Sequence, residues 1–384
     1  MLSEIQMNTL TYATLLTVAQ EAAAGRDDNA RTLLAQLVDD QLQDEGRGSS
    51  LHHVLFASAL SRRLNSEKTA ELNLYLRQFR DTQISLFNLL TRHLPTVALT
   101  APLANELLAR FVGGHDEVTL LDIGIGSGHQ EVAMLQLLGE QGRLPRRLNV
   151  IAIEPDAGSL IESQSALFEA TAEAGVELEF VPIHKVVEDL TDAEWAEIDS
   201  FTCPLVVNAS FAAHHIRCTE GEPLRDQVFR RIRALEPSAV VLAEPSSNHH
   251  AASLVERFEA AFKHFGLTFQ LIDELEVTPA EAAAMKMFFA REIEDIVANA
   301  EESRCERHEP VEAWVERLRR AGFTPYADFD FARGLRNDRV RVAPRDGYVA
   351  LEYADEPLVA VICATSGVPA ATPRKAPALL EAVA

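Results

Sequence analysis

Val118-Thr-Leu-Leu-Asp122-Ile-Gly124-Ile-Gly126-Ser-Gly128 is the stretch that decides the fold. A short apolar run ends in an acid, three glycines alternate with other residues, and an amphipathic segment follows. This pattern predicts a buried strand, a tight glycine turn and a helix start. A turn of this kind lets a ligand approach bare backbone beside a helix N-terminus.

The pattern repeats downstream. Val118–Asp122, Asn149–Glu154, Leu178–Ile183, Pro204–Asn208 and Ala239–Glu244 are β-branched or apolar runs with helical stretches between them, such as Glu131–Leu138 and Ser159–Ala174. Alternation of strand and helix predicts a parallel, doubly wound α/β sheet with its ligand crevice beyond the C-terminal strand ends. Four of the five ends carry a polar group: Asp122, Glu154, Asn208 and Glu244, the remaining one reading Ile183-His184. Thr324–Phe331 reads as a late strand, and Gly347–Tyr353 with Leu358–Ala364 as a hairpin.

Upstream, residues 8 to about 112 show apolar spacing of three and four throughout, in Leu10–Ala24, Ala30–Val38, Leu51–Leu64, Leu72–Leu90 and Pro102–Phe111. Asp28 or Asn29 is a candidate cap for the second of these helices. Residues 251–265 form a further helix, and Thr278-Pro-Ala-Glu281 opens one that runs toward Ile296, since a Thr cap, a first-turn Pro and a Glu three places on form a start signal. Pro310–Ala321 is a last helix. The division this implies is an N-terminal helical cap over 1–112, a core over 113–366 with a helical insertion around 266–300, and a flexible tail over 367–384.

Of the 384 residues, 47% are apolar, enough for a sizeable core, and 35 Lys and Arg stand against 58 Asp and Glu, a formal charge of −23. Such acidity argues against binding a nucleic-acid backbone. Cys203, Cys218, Cys305 and Cys363 lie scattered without CxxC spacing, which points to a reduced, cytoplasmic chain. No apolar run is long enough to span a bilayer, so no membrane partner is expected.

Asp-x-Gly-x-Gly-x-Gly departs from the dinucleotide fingerprint, whose third glycine position is His129 here. The acid before the turn suits an ammonium-bearing cofactor tail and would repel a pyrophosphate. Glu154 is placed to accept hydrogen bonds from both hydroxyls of a ribose. The combination resembles the S-adenosylmethionine site of class I methyltransferases. On that reading Asp122, Gly124, Gly126, Gly128, Glu154 and Asn208 hold the cofactor. The acid usual near the adenine amino group is displaced, with Glu188 or Asp189 the nearest candidates.

Twelve histidines cluster near strand ends. His214, His215 and His249 flank the expected methyl group, where an imidazole would take a proton from a substrate. A carboxylate–imidazole metal site from Glu244 with His214 or His249 lacks HxH or HExxH spacing, and no metal is expected.

The resemblance extends further. Val118-Thr-Leu-Leu-Asp122 with Gly128-His-Gln130 resembles the VHIID motif of GRAS-domain proteins. Ala243-Glu244-Pro-Ser-Ser-Asn248-His249 is similar to that family's Glu-x-x-x-Asn-His, and Arg291-Glu292-Ile293, Arg304-x-Glu306-Arg307-His308-Glu309, Trp314 and Ala321-Gly322-Phe323 to its PFYRE and SAW regions. Ala30-Arg-Thr-Leu-Leu-Ala-Gln-Leu resembles its first leucine-rich region. The resemblance implies a Rossmann-like class I methyltransferase sheet with an N-terminal helical cap and an inserted helical segment. It divides the function. Plant members are transcriptional regulators that have mostly lost the glycine turn, whereas bacterial members keep it and look like methyltransferases. Three intact glycines and Glu154 favour the second group. The implied activity is S-adenosylmethionine-dependent methyl transfer to a small-molecule substrate, a hydrophobic natural product or hormone-like acid, held by Glu244, Asn248 and Arg291. The alternative is a non-catalytic GRAS-type ligand-sensing or protein-interaction regulator.

Overall fold

The computed structural model describes residues 4–39, 51–65, 83–217 and 224–367. The chain divides into two compact units, Met1–Leu94 with Ser247–Glu309, and Pro95–Ser246 with Pro310–Ala384.

The second unit is α/β. Its strands are β1 (Glu117–Ile123), β2 (Arg147–Ile153), β3 (Glu177–Ile183), β4 (Leu205–Ser210), β5 (Ala239–Pro245), β6 (Thr324–Pro325), β7 (Arg341–Arg345), β8 (Tyr348–Tyr353) and β9 (Glu356–Thr365). They form one mixed sheet in the order β3-β2-β1-β4-β5-β9-β8-β7, with β6 on β9. The five strands read from the sequence are β1 to β5, and all run parallel. Six of seven residues in β1 and in β2 are buried, as expected where helices cover both faces. The later strands pair antiparallel.

Two late elements differ from the sequence reading. The run Thr324–Phe331 pairs only at Thr324 and Pro325, then turns into a 3-10 segment, Asp330–Ala332. β7 was absent from the reading because three of its five residues are Arg341, Pro344 and Arg345, which carry little strand signal.

Helix ends follow local chemistry. The helix Ala157–Ala174 starts where the Asp156 side chain accepts from Ser159 N at 2.8 Å, and stops at Gly175 with φ +69°. The helix Thr100–Val112 belongs to this sheet unit, whereas its periodicity groups it with the N-terminal helices.

The other unit is helical and built from two separated stretches of chain. Glu4–Ala23, Asp27–Leu37, Leu51–Arg63 and Gln83–His93 share it with Leu254–Asp273, Pro279–Phe288 and Ala290–Ala298. Asp27, not Asp28 or Asn29, opens the second helix, and Arg26 at its cap position makes no side-chain capping bond. The expected capping box of Thr278 and Glu281 is present. The helix it opens ends at Phe288, and a second begins at Ala290. Phe56, Phe258 and Phe262 meet edge-on or stacked, with ring centroids 4.9–5.9 Å apart, and join the two stretches through apolar burial. Arg63 donates to the Val297 and Asn299 carbonyls, closing the C-terminal end of Ala290–Ala298. Part of the expected helix Leu72–Leu90 and nearly all of the expected tail lie outside the described residues.

Candidate functional site

The glycine turn sits at the C-terminal ends of β1 and β2. Gly124, Gly126 and Gly128 all have positive φ, +81°, +55° and +77°. Side chains are excluded for different reasons. A Cβ on Gly124 would lie 2.6 Å from Ala212 Cβ, and one on Gly128 would lie 3.1 Å from Ser163 of the adjacent helix. One on Gly126 would meet nothing within 4 Å. Gly126 therefore serves conformation and leaves open backbone at the tip of the turn.

Glu154 follows β2 and turns back to the loop. Its carboxylate accepts from Gly126 N at 3.0 Å and from Asp156 N at 2.9 Å. Two backbone donors use half of the roughly four lone-pair sites of a carboxylate, leaving acceptor capacity on the same group.

Below the turn, Asp122 and Asn208 are neighbours because β1 and β4 pair in register there. Asn208 Nδ2 donates to Asp122 at 2.8 Å and to Glu131, in the first turn of the helix His129–Glu140, at 3.3 Å. Both acids are buried and share the Asn208 amide. Burial pushes the Asp122 carboxyl up to about 6, opposed by the hydrogen bonds from Glu131 and Asn208. Burial, then the Asp122 charge, lifts Glu131 well above the usual carboxylate range. Gln130 reaches Asn208 Oδ1 at 3.4 Å, and Asn105 holds the Gln130 carbonyl at 3.0 Å. Asp122, Gly124, Gly126, Gly128, Glu154 and Asn208 thus come together. Glu131 joins them without having been singled out, because an acid in a first helical turn reads simply as a complement to the helix dipole.

The loops after β4 and β5 hold a second constellation. Glu244 is buried and accepts from Ala213 N at 2.8 Å, while its other oxygen lies 2.6 Å from His214 Nδ1. His215 is exposed beside it, with ring centroids 4.0 Å apart. The buried Arg225 lies 4.7 Å over the Trp314 ring and donates to the His214 and Ile216 carbonyls at 2.8 and 3.3 Å. Glu188 and Asp189 are both engaged by Arg217.

His249, Asn248 and Arg291 belong to the helical unit. His249 is fully buried, 2.8 Å from His308 Nδ1 and 2.9 Å from Ser247 Oγ, and stacks on Phe265. Burial, then the neighbouring His308 and His264, holds it well below the ordinary imidazole range, so it is neutral. Asn248 and Arg291 are exposed. A separate open cleft of about 540 Å³ lies at the opposite end of β1–β3, lined by Gly114, Arg143, Arg146 and Gly175 among others, and contains none of these residues.

The GRAS domain family model matches residues 11–361. The chain belongs to the GRAS domain family. It is similar to the GRAS family protein RAD1 of Medicago truncatula, 26% identical across 91% of this chain and 71% of that one. It is also similar to the Scarecrow-like transcription factor PAT1 of Arabidopsis thaliana, 27% identical across 67% of this chain and 56% of that one. The chain thus spans about half to two-thirds or somewhat more of the curated relatives it matches. Among solved structures, SCL7 of Oryza sativa covers 92% of this chain and 99% of its own, at 22% identity and a TM-score of 0.72, which shows a shared GRAS fold.

These findings correct the functional expectation. Membership is of the GRAS domain, and the matching relatives are plant proteins named as DELLA proteins and a Scarecrow-like transcription factor. The small RNA methyltransferase HEN1 matches only at a TM-score of 0.40 and 10% identity, a level that carries no argument. The reading as an S-adenosylmethionine-dependent methyltransferase, a transferase with a small-molecule substrate, does not stand, nor does a partner list confined to that substrate. Nothing in the relatives marks a bacterial branch. Among the described residues no helix is long and apolar enough to cross a membrane.

Proposed function

We propose that this GRAS domain is a non-catalytic regulator that senses a nucleoside-type ligand at its glycine turn and acts through protein partners. The observation that carries the reading is the intact turn: three glycines at positive φ, with Glu154 hydrogen-bonded to the Gly126 amide. A turn kept only for close packing needs Gly124 and Gly128. Gly126, whose missing side chain would meet open space, answers to its φ of +55° alone and leaves its backbone open to a ligand.

The residues fit an adenosyl amino acid such as S-adenosylmethionine. Glu154 supplies acceptors for ribose hydroxyls, the first turn of His129–Glu140 presents backbone N–H groups to a carboxylate, and Asp122 suits an ammonium. His214 is hydrogen-bonded to Glu244, and His249 is buried inside the helical unit. Kinship to a named transcription factor supports a regulatory output. The free thiols of Cys203, Cys305 and Cys363 fit a reducing, cytoplasmic compartment.

Calorimetry with S-adenosylmethionine and S-adenosylhomocysteine tests this reading. Saturable binding is expected, weakened about tenfold or more (about 1.4 kcal/mol) in Gly126→Arg, with the S-adenosylmethionine recovered intact after incubation. Absence of binding to both compounds would remove the reading.

A further inference from the structure

Asp122 and Glu131 are two acids buried side by side, one near the end of β1 and the other in the first turn of the helix His129–Glu140. Both are buried, and the one neutral donor they share is the Asn208 amide. Glu131 Oε2 is buried and meets no N–H or O–H donor among the described residues. The Asn208 amide that donates to Glu131 Oε1 at 3.3 Å donates also to Asp122 at 2.8 Å, so the two carboxyl groups are buried neighbours around one neutral donor. Two ionised carboxylates sharing a single neutral amide would repel each other in a buried site, so the pair retains a proton. The titratable groups that face the pair are few. From the end of β2 comes Glu154, a third acid, and β4 contributes the uncharged Asn208.

We infer that the ligand of the glycine turn presents a cationic group to Asp122, and that its arrival expels to solvent the proton that the pair retains. This rests on the proposed function and names what that site selects: a compound whose positive charge lies beside a nucleoside. The cation takes over the neutralising task of the proton, so binding and deprotonation are linked. Affinity then rises with pH, by up to about tenfold per pH unit while the pair holds its proton.

Three adenosine derivatives separate the sources of charge. S-adenosylmethionine carries an ammonium and a sulfonium, S-adenosylhomocysteine only the ammonium, and methylthioadenosine neither. Calorimetry in two buffers of different ionisation enthalpy counts the protons released. Release is expected with the first two and none with methylthioadenosine. Glu131→Gln is expected to lose the release and, with it, the rise of affinity with pH. Binding of all three with equal proton counts overturns the inference and leaves the proposed function standing. Failure of all three to bind removes both. Infrared spectroscopy of the unliganded protein tests the retained proton without any ligand or folded variant. The band of an un-ionised buried carboxyl is expected at pH 7, shifting on deuteration, and its absence overturns the inference.

Discussion

The Glu154 carboxylate and the Gly126 amide are joined by a 3.0 Å hydrogen bond, so the residue that follows β2 fastens the turn that follows β1. The two halves of the site are therefore one local structure. Parallel pairing in register brings the strand ends level, with Ile123 opposite Ile153, and the carboxylate spans what remains.

The three glycines should differ in tolerance. Gly126→Ala places a Cβ at φ +55° in open space, so it carries only the left-handed backbone cost of about 1–2 kcal/mol. Gly124→Ala adds a 2.6 Å approach to Ala212 Cβ and should lose more. Urea unfolding should rank Gly124→Ala as the less stable, and an equal loss would contradict the geometry of the turn.

The acid pair predicts a pH dependence of stability. A carboxyl raised on folding binds its proton more tightly in the native state than in the unfolded one, so the stability it contributes falls as pH rises above the unfolded value. For Asp122 the fall runs from its ordinary value near 4 up to about 6, and for Glu131 it continues beyond. Each proton contributes a slope of up to about 1.4 kcal/mol per pH unit. Denaturant unfolding across pH 4–8 should show a decline that is flatter in Glu131→Gln.

His52 gives the opposite sign. It is buried against Phe56 and Phe262, and burial, with His53 second, lowers it to about 3. Its stabilising neutral form is fully present above the unfolded value near 6.5 and is lost as pH falls toward 3. Hydrogen-exchange protection factors in the helical unit, taken relative to the intrinsic exchange rate at each pH, should fall on acidification below about 6.5. His52→Phe, which also removes the unpartnered buried Nε2, should reduce that response. Unchanged acid sensitivity in the variant would assign it to other groups.

Arg225 supports the loop that carries His214. Arg225→Ala removes two charged hydrogen bonds to carbonyls and the contact with Trp314, for a loss of about 3 kcal/mol. A melting temperature within a degree or so of the parent would show that the loop is held otherwise.

Much of the sheet was legible because parallel strands buried on both faces read as apolar runs, and glycines at forced φ read as a turn. β1 to β5, the β8–β9 hairpin and the Thr278–Glu281 capping box are local patterns of this kind. The alternation of strand and helix by itself determined the α/β class, the place of the glycine turn and the carboxylates at the strand ends. Residue spacing could not determine which distant groups meet. That Glu131 and Asp122 meet on the Asn208 amide is decided by the register of β1 on β4 and by the packing of the helix His129–Glu140. That His249 lies sealed among His264, Phe265 and His308 is decided by the return of Ser247–Glu309 to the N-terminal helices. In each case the cause is burial, which sets both neighbour and charge and is a property of the packed chain alone.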